Sequence, residues 1–189
     1  MTQYKKNQFI NFTNFLDKYS KKYKKKIFYM SKYKKDEISY EKLLRIINNF
    51  KTVILNYKIS YQDKIMVICD NSENLVIIFL SILYHKSIFI PVNPNSTKIE
   101  FDFIYKKTKP KLIITTELLA QKFKIKKNIL LLENYEKIKK FKGTHKRVES
   151  KNFSNKKEII SQILFTSGST GNPKGVVLTH KSMLHNLYG

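Results

Sequence analysis

The stretch KIMVICDNSENLVIIFLSILYHKSIFIPVNP, residues 64–94, decides the fold. It opens with an apolar run over residues 64–69 that is typical of a buried strand. A capping loop at residues 70–74 leads into residues 75–84, which are apolar on nearly every side and predict a buried helix. Residues 87–90 predict a second strand, which the prolines of the following Pro-Val-Asn-Pro should close.

The same alternation continues downstream. Ser96 or Thr97 can cap a helix over residues 98–107, and Pro110 ends that helix before a strand at residues 111–115. A short helix and a further strand complete the pattern, at residues 117–122 and 129–132. Strands that alternate with helices indicate an α/β fold with a mostly parallel sheet, flanked by helices on both faces.

The residues before this unit predict two helices and a hairpin. Aromatic and aliphatic side chains recur at helical spacing in residues 1–26, which predicts an amphipathic helix. Two β-prone runs at residues 27–30 and 38–40 predict the hairpin, and Ser39 is placed to cap a helix over residues 40–57. We therefore divide the chain into N-terminal helices and hairpin (1–60), an alternating α/β unit (61–132), a polar surface connector (133–157) and the start of a phosphate-loop unit (158–189).

Net charge is the largest compositional signal, since 37 Lys and Arg against 14 Asp and Glu give +23. Such a charge would suit a nucleic acid or an anionic membrane surface. However, Arg45 and Arg147 are the only arginines, and the lysines are spread along the whole chain. Because binding faces for nucleic acid usually include arginine for its bidentate geometry, we expect no specific nucleic-acid partner. A basic nucleic-acid-binding protein is kept as a lesser alternative, whose binding would have to survive physiological salt.

The remaining composition favours a soluble protein. With 42% hydrophobic residues the chain can bury a core, yet no apolar run approaches the roughly 18 residues that span a bilayer. The start of the chain does not show the pattern of a secretory signal, so we expect a cytoplasmic protein. Cys69 is the single cysteine and ends an apolar run, which predicts a buried structural thiol.

Residues 166–175, TSGSTGNPKG, carry the candidate chemistry. Glycines let backbone N–H groups approach an anion, hydroxyls add donors and Lys174 adds a positive charge, so the segment suits phosphate oxygens. The spacing excludes the Walker loop, which needs a glycine, four residues and then Gly-Lys. Flanking residues predict strands at 159–165 and 176–178, and Thr179 can cap a following helix. The same residue types also form ordinary hairpin turns, so composition alone leaves a plain turn open.

In context this segment resembles the signature of the adenylate-forming enzymes, the superfamily of acyl-CoA synthetases, peptide-synthetase adenylation domains and luciferases. The similarity extends over residues 163–180, and further segments follow in the superfamily's order and spacing, at residues 38–43, 63–67, 71–72, 88–94 and 111–115. The chain departs from the superfamily at His85-Lys-Ser87, where small residues and glycine are common, which can alter the local turn. The resemblance implies the N-terminal part of the large domain of these enzymes, incomplete in this chain.

By resemblance, the chain belongs to a ligase that uses ATP and Mg²⁺ to activate a carboxylic acid as an acyl-adenylate. A thiol of coenzyme A or of a carrier protein then takes the acyl group. Four hydroxyl side chains, with the loop amides, would hold the β- and γ-phosphates: Thr166, Ser167, Ser169 and Thr170. The loop glycines are Gly168, Gly171 and Gly175, and Lys174 would neutralise the departing pyrophosphate.

Members of the superfamily are several hundred residues long, so much of the acyl pocket and the small C-terminal domain would lie outside these residues. We therefore expect the 189 residues alone to be inactive. Two alternatives remain open, a truncated non-catalytic remnant and a subunit of a split enzyme completed by a second chain. No metal ligands are assigned: His85 and His145 are expected on the surface, and His180 and His185 are interpreted as structural.

Overall fold

A computed structural model describes residues 11–30, 37–134, 158–166 and 173–188. In these ranges the helices are α1 (Phe12–Lys22), α2 (Tyr40–Asn56), α3 (Glu73–Tyr84), α4 (Lys98–Thr108), α5 (Glu117–Lys122) and α6 (His180–Tyr188). The strands are β1 (Ile27–Met30), β2 (Glu37–Ser39), β3 (Lys64–Ile68), β4 (Ile88–Val92), β5 (Leu112–Thr115), β6 (Ile129–Leu131), β7 (Ile160–Thr166) and β8 (Lys174–Thr179). A short 3₁₀ helix follows β6 at Leu132–Asn134.

The larger sheet has six strands in the order β6-β5-β3-β4-β7-β8. Every neighbouring pair is parallel except β7 and β8, which form an antiparallel hairpin at one edge. This arrangement confirms the predicted α/β fold with a mostly parallel sheet. The strands β1 and β2 pair with each other in a separate antiparallel sheet, as the sequence predicted.

Side chains alternate between two apolar cores along β3. Ile65 and Val67 pack into a core with α1, α2 and α3, whereas Met66 and Ile68 pack into a second core with α4 and α5. Each of these side chains is at most 1% exposed. Because both faces of the parallel strands are covered, residues 65–68 are uniformly apolar rather than alternately polar.

Hydroxyl side chains begin several helices. Each of four caps accepts a hydrogen bond from the backbone N–H three residues further on: Ser39, Ser72, Thr97 and Thr116. The prediction for Ser39 is confirmed. At α4 the cap is Thr97 rather than Ser96, because the Glu100 carboxylate also accepts the Thr97 N–H at 2.8 Å and completes a capping box.

Lysines occupy the left-handed position that follows several helices, where glycine is usual. Lys58, Lys86 and Lys124 have φ angles of 55°, 61° and 53°. The turn at Lys86 is representative, since its N–H donates to Leu83 O at 2.9 Å and the next N–H donates to Ile82 O at 3.1 Å. This pair of bonds is the Schellman motif. At residues 85–87, where the sequence departs from the superfamily, α3 therefore still ends in a regular turn. Lys86 adopts there a conformation that glycine adopts at lower cost.

Pro91 does not close β4, contrary to the prediction. The strand continues to Val92, and Pro91 pairs in register with Val67 of β3. Proline lacks the N–H that a strand donates to a neighbour, so it needs a position where one side of the strand is unpaired. In the described residues β4 pairs with β7 at Phe89 alone, so the side of β4 that faces β7 is unpaired at Pro91.

Several other bounds differ from the predictions, most clearly those of α1 and β8. α1 ends at Lys22, earlier than the helix predicted to residue 26, because β1 begins at Ile27. β8 begins at Lys174 because its pairing with β7 extends to Thr166. The predicted connector beyond Asn134, the chain start before Asn11 and His145 lie outside the described residues, and the division into four segments stays a prediction. Within the ranges described, no helix is both long enough and apolar enough to cross a membrane.

Candidate phosphate-binding site

The β7–β8 hairpin brings together the two ends of the candidate loop. Thr166, the last residue of β7, is the cross-strand partner of Lys174, the first residue of β8. Side chains directly opposite each other in an antiparallel pair lie on one face, about 5 Å apart at Cβ. Both residues are exposed. The hairpin therefore places the side chains of Thr166 and Lys174 on one face where the loop begins and ends.

Gly175 has a packing role that the sequence did not indicate. It pairs with Phe165, and a Cβ atom added to it would lie 3.3 Å from Cε1 and from Cζ of the Phe165 ring. A side chain there would require the ring to shift by a few tenths of an ångström. Phe165 packs with Ile160 and Ile163 against the core shared with α4 and α5. Gly175 thus lets the hairpin pack onto the sheet core.

The remaining predicted loop residues lie outside the described residues: Ser167, Gly168, Ser169, Thr170 and Gly171. Their contacts with phosphate stay predictions. Of the predicted site, the structure positions Thr166 and Lys174 together on one face, and it places Gly175 under an aromatic ring.

The outer strand β8 is only partly covered. Val176 and Val177 are 46% and 53% exposed, and consecutive residues of a strand point to opposite faces. In the part of the chain that the structure describes, β8 has a neighbouring strand on one side only. An unpaired edge with apolar side chains is a surface onto which further polypeptide can pack.

Thr179 and Ser182 join β8 directly to α6. The Ser182 N–H donates to Thr179 Oγ1 at 3.1 Å, and the Thr179 N–H donates to Ser182 Oγ at 3.0 Å. This reciprocal pair satisfies backbone donors at the start of the helix. The predicted cap at Thr179 is therefore confirmed, and the strand that follows the loop leads without a linker into a helix.

His180 connects the start of α6 to two distant segments. Its ring is fully buried, and Nδ1 accepts the Phe12 N–H at 3.2 Å. The backbone N–H of His180 donates to Ile159 O at 2.8 Å. Burial, and secondarily the charge of Lys86, lower the pKa of His180 to about 4. With Nδ1 as an acceptor, the ring is neutral and carries its proton on Nε2, which has no hydrogen-bond partner among the described residues. These contacts are those of a structural histidine.

The expectation that His85 lies on the surface is wrong. The ring is partly buried, with Nδ1 at 2.9 Å from Ser87 Oγ. Burial and then the charge of Lys51 lower the pKa of His85 to about 4, and Asp63 partly opposes this. The residue precedes the amino end of β4, whereas the loop follows the carboxyl end of the parallel strand β7. The His85 imidazole therefore lies away from the phosphate site.

Cys69 is buried, as predicted. Burial and then the neighbouring Asp70 raise the pKa of its thiol to about 11, so the thiol is protonated at neutral pH and is a poor nucleophile. Within the ranges that the structure describes, no cluster of three or more His, Cys, Asp or Glu side chains could hold a metal ion.

Gln62 contacts the end of β7 that lies opposite the candidate loop, and the sequence analysis assigned it no role. Its side-chain amide contacts both backbone polar groups of Ile160, the first residue of β7. A single glutamine before a strand has no periodicity, spacing or composition that distinguishes it. Sequence reasoning had no signal from which to find this contact.

This chain is similar in sequence and in fold to several known proteins. It is 24% identical to Gramicidin S synthase 2 of Brevibacillus brevis over 153 residues, which cover 81% of this chain and 3% of that protein. Its fold resembles that of VinN, with a TM-score of 0.77 and 19% identity over 92% of this chain and 44% of that one. A fatty acyl CoA synthetase of Mycobacterium tuberculosis has a TM-score of 0.76 and 17% identity, covering 90% of this chain and 35% of that one.

This chain therefore spans less than half the length of each of these proteins. The family model of the AMP-binding enzyme matches residues 16–189, which include both the parallel sheet and the candidate loop. Because that match extends over nearly the whole sequence, the chain belongs to the AMP-binding enzyme family.

Proposed function

We propose that this chain supplies the pyrophosphate-handling part of an adenylate-forming ligase. The observation that carries the proposal is the cross-strand pair of Thr166 and Lys174, which places a hydroxyl donor and a cation together at the ends of the loop. Membership of the AMP-binding enzyme family supports the same role. Further donors to phosphate would come from the loop residues proposed from the sequence: Ser167, Gly168, Ser169, Thr170 and Gly171.

In the proposed reaction, a carboxylate oxygen of the substrate forms a bond to the α-phosphorus of ATP. The bond from that phosphorus to the oxygen bridging the β-phosphate breaks, which yields an acyl-adenylate and pyrophosphate. Lys174 would stabilise the negative charge that develops on the departing pyrophosphate, and Thr166 would donate a hydrogen bond to a phosphate oxygen. A thiolate of coenzyme A or of a carrier protein would then bond to the acyl carbon and release AMP.

The described donors fit phosphate but not a metal ion. A hydroxyl and an ammonium group are suitable partners for phosphate oxygens. No carboxylate or histidine cluster in the described ranges offers sites for Mg²⁺. We therefore assign no step to protein-bound metal, and Mg²⁺ would enter as its complex with ATP.

The proposal includes further polypeptide at the open edge of the sheet. VinN is more than twice as long as the part that this chain covers, since 44% of it is matched. We propose that polypeptide corresponding to the remaining length packs against β8 at Val176 and Val177 and completes the acyl pocket. It would do so either in one chain or as a second subunit, and a non-catalytic remnant stays the alternative. A cytoplasmic location also stays a prediction.

Pyrophosphate binding to the 189-residue chain, measured by calorimetry, tests the loop assignment. Replacing Lys174 with alanine should weaken binding by about tenfold or more, because a charge-assisted bond to phosphate contributes roughly 1.5–3 kcal/mol. The matched control is Lys181→Ala, which removes an exposed lysine from α6 and should leave the affinity unchanged. Equal affinities of the Lys174→Ala variant and the unmodified chain would contradict the assignment.

Carboxylate-dependent ATP–pyrophosphate exchange tests the reaction. The 189 residues alone should show no exchange, and exchange by them would refute the need for further polypeptide. In an active assembly, Lys174→Ala should slow exchange by roughly a hundredfold, because such a charge contributes about 3 kcal/mol in the transition state.

A further inference from the structure

The strands of the β7–β8 hairpin pair with each other at six positions, from Ile160–Thr179 to Thr166–Lys174. β3 and β4 pair at five successive positions, from Lys64–Ile88 to Ile68–Val92. In the described residues β4 and β7 pair at one position, Phe89 with Gln162. Apolar packing of Ile160, Ile163 and Phe165 on the core shared with α4 and α5 helps to place the hairpin, and a polar contact at the amino end of β7 adds to it.

The side chain of Gln62 provides that contact. Its Nε2 donates to Ile160 O at 3.0 Å, and its Oε1 accepts the Ile160 N–H at 3.0 Å. A single carboxamide thus pairs with both backbone polar groups of one strand residue, as a neighbouring strand would. The same Nε2 also donates to Lys86 O at 3.0 Å, and the Gln62 backbone N–H donates to that oxygen at 3.0 Å. Gln62 therefore connects the start of β7 to the turn between α3 and β4.

This connection lies beside an irregularity in the hairpin. The pairing of β7 with β8 shifts between Ile160 and Gln162, so the regular alternation of the ladder is interrupted there. Ser161 at this position is fully buried, and its Oγ donates to Leu178 O at 2.9 Å. The Gln62 contact at Ile160 therefore lies directly beside the position where the register of β7 with β8 changes.

We propose that Gln62 is a positioning residue for the phosphate loop. It holds the amino end of β7, and β7 extends over about 20 Å to Thr166 at the mouth of the loop. Because β7 pairs with β8 both at Ile160 and at Thr166, a tilt of its amino end on loss of the Gln62 contacts should also displace the pair of Thr166 and Lys174. The functional half of this inference rests on the proposed role of the loop in binding phosphate.

Hydrogen exchange and pyrophosphate affinity, measured on the same variants of the 189-residue chain, test the inference. In Gln62→Ala the amides of β7 should exchange about tenfold faster or more, because each lost hydrogen bond contributes on the order of a factor of five. Pyrophosphate affinity should fall several-fold. Amides of β3 and β5 should keep their exchange rates, since Gln62 contacts neither strand through its side chain in the described residues.

Gln62→Gly separates positioning from general stability. Gln62 has a φ angle of 60°, so glycine relieves backbone strain while it removes the amide. The free energy of unfolding should therefore stay closer to that of the unmodified chain than in Gln62→Ala, while β7 exchange and pyrophosphate affinity change as much. Lys58→Gly is the control, because Lys58 has a φ angle of 55° and follows α2, away from β7. Lys58→Gly should change neither the exchange rates of the β7 amides nor the affinity for pyrophosphate.

Gln62→Glu tests the donor directly. A carboxylate keeps the acceptor for the Ile160 N–H but loses the donors to Ile160 O and Lys86 O, so its effects should fall between those of the unmodified chain and Gln62→Ala. Unchanged β7 exchange in both Gln62→Ala and Gln62→Gly would overturn the structural half of the inference. Faster exchange with unchanged pyrophosphate affinity would overturn the link to the loop. If the unmodified chain binds no pyrophosphate, the proposed function fails, while the exchange rates still decide whether Gln62 holds β7.

Discussion

The parallel strands and the β7–β8 hairpin belong to one sheet but are held by different forces. In β3, residues 65–68 are at most 1% exposed and face apolar cores on both sides. In β8, Val177 is 53% exposed, and polar contacts from Gln62 and His180 hold the hairpin and its helix. Burial of apolar surface on both faces stabilises the first region, whereas the second combines the apolar packing of Ile160, Ile163 and Phe165 with a few orienting hydrogen bonds. The loop that would bind phosphate is thus carried by the less buried part of the molecule.

The largest expected effect comes from removing one phenylalanine in each region. Phe123 is 1% exposed and stacks on Phe101 with ring centroids 4.8 Å apart. Replacing it with alanine should lower the free energy of unfolding by about 3–5 kcal/mol. Phe165 is only partly buried, so Phe165→Ala should lower it by about 1–2 kcal/mol. Urea denaturation followed by circular dichroism measures both, and equal losses would mean that the hairpin belongs to the main core.

Acidification should weaken the link between α1 and α6. His180 has a pKa lowered from 6.5 to about 4, so the unfolded chain binds more protons than the folded chain between these values. Stability should therefore be lost as the pH falls from 6.5 towards 4, by up to about 3 kcal/mol from this residue. The protonated ring can no longer accept the Phe12 N–H.

His180→Asn keeps an acceptor without a titratable group, so its unfolding free energy should depend less on pH in this window. Part of the dependence should remain, because burial also lowers the pKa of His85 to about 4. His185→Asn replaces an exposed histidine on the same helix and is the control. Identical pH profiles for His180→Asn and the unmodified chain would show that the Phe12 contact does not depend on a neutral imidazole.

The smallest expected effect is a gain of stability at the helix ends. Lys58 and Lys124 are exposed lysines with φ angles of 55° and 53°. Replacing either with glycine should raise the free energy of unfolding by about 0.5 kcal/mol, because glycine adopts this conformation without the clash of a Cβ atom. Lys106→Gly, inside α4, should instead lower it by about 1 kcal/mol. Pyrophosphate affinity should stay unchanged in all three variants. A change would show that binding at the loop depends on the stability of the parallel part of the sheet.

Much of the fold could be predicted because its signals are local. The apolar run at residues 65–68, the helical spacing after Ser39 and the cap at Thr179 each depend on neighbours along the chain. The error at Pro91 arises because the end of β4 depends on a contact that is not local in the sequence. A proline stops a strand only if both sides of the strand are paired, and the sequence does not show how far β7 pairs with β4.

By itself, then, the sequence determined the alternation of strands and helices, the position of the loop and its resemblance to an adenylate-forming signature. Only the tertiary structure decided which distant residues meet: Gln62 with Ile160, Phe12 with His180, and Phe165 with Gly175 across the hairpin. The physical reason is that helix and strand preferences arise from side chains a few positions apart. A hydrogen bond between residues 98 positions apart exists only after the cores have brought the two segments together.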